Sequence, residues 1–148
     1  MIVKIKKLHP DASVPAKAHS GDFCYDVKAV SCEEVAPNVY RYGLGFALQI
    51  DRRYVDEKVV SLSIDARPRS SIWKTGMSLA NATATIDMDY TGEIFLVFYH
   101  LFPNMPKYEP GDRIAQIKIG STIPMDFEEA NMLETTDRGD GRFGSTGR

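Results

Sequence analysis

At 148 residues, with 43% hydrophobic and 26% charged residues, the chain has the size and composition of one globular domain that closes a core without disulfide staples. Lys and Arg (18) nearly balance Asp and Glu (20), which argues against a duplex-DNA or membrane-surface binder working by bulk charge. Two cysteines (Cys24, Cys32) and three scattered histidines (His9, His19, His100) do not make a zinc site of familiar spacing. No run approaches the roughly 18 apolar residues of a membrane span, and MIVKIKKLHP lacks a secretory apolar core, so a cytoplasmic protein with no nucleic-acid or membrane partner is expected.

Along the chain the apolar residues recur with period two, the signature of strands. Phe23, Tyr25, Val27 and Ala29 alternate with Cys24, Asp26 and Lys28. Phe46, Leu48 and Ile50 alternate with Ala47 and Gln49, and Val60, Leu62 and Ile64 alternate with Ser61 and Ser63. A short helical turn is expected at Ser70 to Thr75. Ile94 to Tyr99 is apolar at every position, which predicts a strand covered on both faces, by a second sheet of its own or by another subunit; we favour the subunit. Ala115, Ile117 and Ile119 form the last alternating strand, and Phe127 to Glu134 is ambiguous between helix and coil. Turn chemistry separates these runs at Pro37-Asn38, Tyr90-Thr91-Gly92, Pro103-Asn104 and Pro110-Gly111-Asp112. Many short strands in one domain point to an all-β barrel or jelly roll.

The final ten residues, GDGRFGSTGR, hold four of the eleven glycines and one large apolar residue, Phe143. Such a stretch reads either as a frayed terminus or as a flap whose backbone N–H groups wrap an anion.

Five segments carry residues suited to chemistry. Asp26 is an acid within an apolar strand. Pro68-Arg69-Ser70-Ser71 is a donor cluster suited to an anion. Asn81 precedes a hairpin with two acids, Asp87 and Asp89; Gly111 to Gln116 and Arg138 to Gly147 complete the set. Each has a plainer reading: Asp87 and Asp89 as turn formers, Asp112 and Arg113 as a surface pair, Arg69 as a solvated cation. The glycine-rich tail lacks the GxxxxGK[ST] spacing of a phosphate-binding loop of the Walker type.

Taken in order, these segments resemble the five motifs of the homotrimeric dUTPase family, from about Pro15 to Arg148. PRSS at 68–71, IDMDYTGEI at 86–94, GDRIAQ at 111–116 and RGDGRFGSTG at 138–147 are the most specific stretches. The resemblance implies an all-β, distorted jelly roll (a β-clip barrel) over residues 1–136, a flexible flap over 137–148, and a homotrimer whose active sites are each shared by three chains. It implies hydrolysis of dUTP to dUMP and pyrophosphate with Mg²⁺ on the triphosphate, an activity that limits uracil in DNA and supplies dUMP for thymidylate synthesis.

By the same resemblance, Asp87 orients and deprotonates the attacking water, while Asn81 and the main chain of Thr85 and Ile86 read uracil. Tyr90 packs under deoxyribose and the backbone at Phe95 lies near substrate. Arg69, Ser70, Ser71 and Gln116 contact phosphates. Asp26 holds the metal through its bound water. In the tail, Arg138, Gly144, Ser145 and Thr146 hold the γ-phosphate and Phe143 stacks on uracil. Ser71, Ala84 and Arg142 stand where many members have Gly, and Thr91 where many have Arg; an Ala84 forced to positive φ would strain the base-reading loop. The alternatives are a dCTP deaminase of the same fold or an inactive nucleotide binder. The deaminase needs a proton-shuttling Glu where this chain has Val97.

Overall fold

Period-two patterning requires sheets with a buried face, and the described residues build three. The computed structural model describes residues 1–54, 56, 60–137, 139 and 140. Among them ten strands follow in order: β1 Val3–Lys7, β2 Tyr25–Lys28, β3 Ser31–Ala36, β4 Val39–Gly43, β5 Phe46–Ile50, β6 Ser61–Pro68, β7 Met77–Leu79, β8 Ala84–Asp87, β9 Phe95–His100 and β10 Arg113–Thr122. Short 3₁₀ turns cover Arg52–Tyr54 and Ser70–Lys74. No helix among the described residues is long and apolar enough to cross a membrane.

β1 and β5 form a ribbon, and two four-stranded sheets run β2–β10–β6–β8 and β3–β4–β9–β7, all pairings antiparallel. From β6 onward consecutive strands alternate between the two larger sheets, the wiring of a jelly roll. Val27, Ile64, Ala66, Ala115 and Ile117 from one sheet bury with Tyr42, Leu96 and Phe98 from the other, joined by Leu44, Phe46 and Ile50. Burying each large side chain contributes about 1.5–3 kcal/mol. Tyr42 meets Phe98 edge-on, with ring centroids 5.6 Å apart, and its hydroxyl donates to the Tyr108 carbonyl at 2.8 Å. The phenol therefore enters the core with its polar end satisfied, and burial pushes its pKa well up.

Several expectations need correction. The first alternating strand begins at Tyr25, and Phe23 is exposed because the chain there turns at His19 to Asp22 and has not yet joined the sheet. Ile119 reaches the edge of the buried face and is exposed. β9 buries Leu96 and Phe98 but leaves Phe95 (43%) and Tyr99 (44%) exposed, so among the described residues no second sheet covers that face, which removes the first of the two expected covers and not the favoured one. Phe127 to Glu134 has no regular structure and every residue in it is exposed. Ala84 lies buried in β8 opposite Ala66 with ordinary extended backbone; the left-handed residue of this connection is Ala82, at φ 54°. The turn expected at Ser70 forms as the 3₁₀ segment.

Candidate active site

The hairpin between β8 and β9 builds one half of the site. β8 ends on Asp87, whose carbonyl accepts the Tyr90 N–H at 3.0 Å and closes the turn. The chain returns through Gly92 to Glu93, and the Tyr90 hydroxyl donates to the Glu93 carbonyl at 2.8 Å. The arms enclose a cleft of about 270 Å³ lined by Thr85, Ile86, Asp87, Tyr90, Glu93, Ile94 and Phe95. Asp87 is exposed. Asp89 is ion-paired with Arg52, and the Arg41 guanidinium covers the Phe95 ring at 5.1 Å. The cleft thus offers an apolar floor, an aromatic edge and a carboxylate at its mouth, a surface suited to a flat heterocycle with its sugar.

The second half gathers around Asp26. Asp26 on β2 lies opposite Gln116 on β10, and β10 also pairs with β6, which delivers Pro68 and Arg69 to the same place. Arg69 Nε donates to Asp26 Oδ1 at 3.0 Å, and Arg113 Nη1 donates to Asp26 Oδ2 at 3.0 Å. Arg69 Nη1 reaches the Ser71 hydroxyl at 3.3 Å, and Gln116 Nε2 donates to the Pro68 carbonyl at 3.0 Å. Ser70 is exposed at the start of the 3₁₀ turn. Two guanidiniums on one carboxylate leave one net positive charge, and fork-shaped donors held in place suit a phosphate.

The two halves stand apart within one chain. Asp87 pairs with Ser63 on β6, six residues before Arg69. At about 3.3 Å per residue that puts them about 20 Å apart along the strand. Asn81 lies exposed on the β7–β8 connection, outside the cleft wall. β8 runs antiparallel to β6, with Ala84 opposite Ala66, so Asn81 falls towards the Arg69 end. Arg138, Phe143, Gly144, Ser145 and Thr146 lie outside the described residues.

Two contributors escaped the sequence reading. Arg113 is committed to Asp26, not to the neighbouring Asp112, whose carboxylate accepts the Glu109 N–H at 2.8 Å. Its place in GDRIAQ was the available signal. Glu93 lines the cleft, and only its position on the hairpin's return hinted at that.

Comparison with known proteins places this architecture. A dUTPase family model matches residues 11–147. The deoxyuridine 5'-triphosphate nucleotidohydrolase of Corynebacterium glutamicum is 36% identical over 99% of this chain and 95% of its own length. That of Helicobacter pylori is 34% identical over 99% and 97%. Among solved structures, the dUTPase of Staphylococcus bacteriophage 80alpha with dUpNHpp superposes with a TM-score of 0.79 at 19% identity, over 99% of both chains. A phage phi11 dUTPase, described with a structural Mg(II) ion, gives 0.71 at 16% identity over 91% of this chain and all of its own. At those identities the structural likeness speaks for the fold. The family model and the bacterial relatives each span nearly the whole chain, barrel, cleft and arginine cluster together, so the chain belongs to the dUTPase family.

Proposed function

We propose that this protein hydrolyses dUTP to dUMP and pyrophosphate, in the cytoplasm, by attack of water at the α-phosphorus. The carrying observation is the pairing of an apolar cleft bearing Asp87 with a separate, net-positive cluster at Arg69, in a chain of this family. Uracil and deoxyribose fit the cleft, with Tyr90 against the sugar and the main chain of Thr85 and Ile86 beside the base. Asp87 orients the water and takes its proton; a base must sit within hydrogen-bond reach of that water. Arg69, Ser70, Ser71 and Gln116 hold the triphosphate, and fixing it in line supplies much of the rate.

The distance between the halves bears on assembly. An acid about 20 Å from the arginines of its own chain cannot serve a phosphate held by them. A second copy that brings its Arg69 cluster to this chain's Asp87 completes the site, which supports a homotrimer with shared sites. The exposed aromatic face of β9 is available for such contact. Residues 137–148 complete each site as a flap from a neighbour, with Arg138, Gly144, Ser145 and Thr146 on the γ-phosphate and Phe143 over the base.

Mg²⁺ would arrive on the triphosphate and offset its charge. Asp26 suits a contact through a bound water: its oxygens accept two guanidinium bonds and retain lone pairs for further donors. Arg69 and Arg113 are themselves oriented by that carboxylate, so Asp26 also fixes the phosphate donors.

Incubation with dUTP, dCTP, dTTP and UTP in the presence of Mg²⁺, with chromatography of the products, tests the reading. The expected products are dUMP and pyrophosphate from dUTP, with little turnover of the others. Release of dUTP from dCTP would establish a deaminase, and no product from any of the four would leave a nucleotide binder.

A further inference from the structure

Glu93 lies on the cleft wall between Tyr90 and Phe95 and belongs to none of the roles described above. Its carboxylate reaches the connection between β4 and β5, where Oε1 accepts the buried Gly45 N–H at 3.0 Å. Gly43 leaves the space for this: a Cβ there would stand 2.7 Å from Glu93 Oε1 and 2.5 Å from Ser31 Oγ. The same seam carries backbone bonds from Leu44 N–H to the Ile94 carbonyl at 3.0 Å and from Ile94 N–H to the Phe46 carbonyl at 3.1 Å. At its other end, the Glu93 carbonyl is the acceptor for the Tyr90 hydroxyl.

We propose that Glu93 is a positioning residue that sets sugar discrimination, its side chain pinning the returning arm to Gly45 while its carbonyl holds the ring of Tyr90. The inference rests on the reading of the cleft as the nucleoside half of the site. Tyr90 is 46% exposed; its ring lies over Gly92, where a Cβ would stand 2.6 Å from the hydroxyl oxygen, and the bond to the Glu93 carbonyl fixes its polar end. That carbonyl belongs to a residue whose side chain is seated on a buried amide. Shortening the side chain leaves the Gly45 N–H without its acceptor and, with Ile94 still tied to Leu44 and Phe46, loosens residue 93 and the carbonyl that orients Tyr90 against the sugar. The loss of a charge-assisted bond of this kind corresponds to about a tenfold effect.

Three variants separate reach from charge. Glu93→Gln keeps the length and an acceptor oxygen. Glu93→Asp keeps the charge but falls a methylene short, and Glu93→Ala removes both. KM and kcat for dUTP and UTP are measured, together with inhibition by imidodiphosphate, which probes the phosphate half alone. Glu93→Ala and Glu93→Asp should each raise KM for dUTP about tenfold and narrow the dUTP/UTP preference, with imidodiphosphate inhibition unchanged. Glu93→Gln should retain the parent preference. The role is overturned if Glu93→Asp keeps the parent ratio while Glu93→Gln loses it, or if all variants keep it. It is also overturned if the ratio stays fixed while kcat and imidodiphosphate inhibition decline together, the pattern of general destabilisation. A parent protein that fails to turn over dUTP would instead defeat the functional reading itself.

Discussion

Asp87 is an exposed carboxylate on the last residue of a strand, facing a cleft with an aromatic edge. Its replacement by Asn keeps the shape and the turn, because the turn uses the Asp87 carbonyl and not the side chain. Asp87→Asn should therefore bind dUMP as the parent does and lose turnover by about 10²–10⁴-fold, measured in single-turnover assays. Retention of the parent rate would assign the base elsewhere. Thr85, Ile86, Asp87, Tyr90 and Phe95 were legible in the sequence because they fall on or beside one contiguous motif of a single hairpin, whereas Glu93 in the same motif drew no role. The partner of Asp26 was not legible. Arg113 adjoins Asp112 in the chain, yet it bridges to β2, because the pairing of β10 with β2 brings it there. Partner choice among charges is a tertiary property that local spacing does not encode. Ala84 teaches the same lesson from the other side: the strain anticipated there sits at Ala82, since the strand begins two residues after the turn.

Among the elements, alternating strands were legible because a half-buried sheet imposes its period on the sequence, as Phe46, Leu48 and Ile50 show beside the exposed Gln49, although Ala47 is buried too. β9 left two covers open because its outward face is apolar too, and the residues facing one side of a strand do not disclose what covers them. The β1–β5 ribbon supplies a pH-dependent term. Asp51, just past β5, is a buried carboxylate that accepts Arg53 Nε at 3.0 Å, Arg53 Nη2 at 2.6 Å and the Arg53 N–H at 3.1 Å. Its own N–H donates to the Ile2 carbonyl at 2.9 Å and extends the ribbon. The Arg53 side chain, aided by that backbone donor, holds its pKa down to about 2. A carboxylate with a depressed folded pKa contributes stability that is full above its unfolded value, near 3.8, and lost as pH falls towards 2. Tm profiles of the parent and Asp51→Asn should thus differ by a constant amount from pH 7 to about 5 and converge between about 4 and 2. Parallel profiles down to pH 2 would remove Asp51 from this role.

At the scale of the whole molecule, the proposed reading assigns to one site two clusters that a single chain holds about 20 Å apart. A single sheet holds them at opposite ends, Asp87 beside Ser63 and Arg69 beyond Pro68, and its pairing register fixes that separation. Two nearly inactive variants, Asp87→Asn and Arg69→Ala, test the consequence when mixed in equal amounts and allowed to exchange subunits. If each site joins the Asp87 of one copy to the Arg69 cluster of another, about a quarter of the sites in the mixture regain both residues. Activity should rise with exchange towards about a quarter of the parent rate, a gain neither variant shows alone. A mixture that exchanges subunits, verified by mass spectrometry of labelled chains, yet stays as inactive as its components would contradict the shared site.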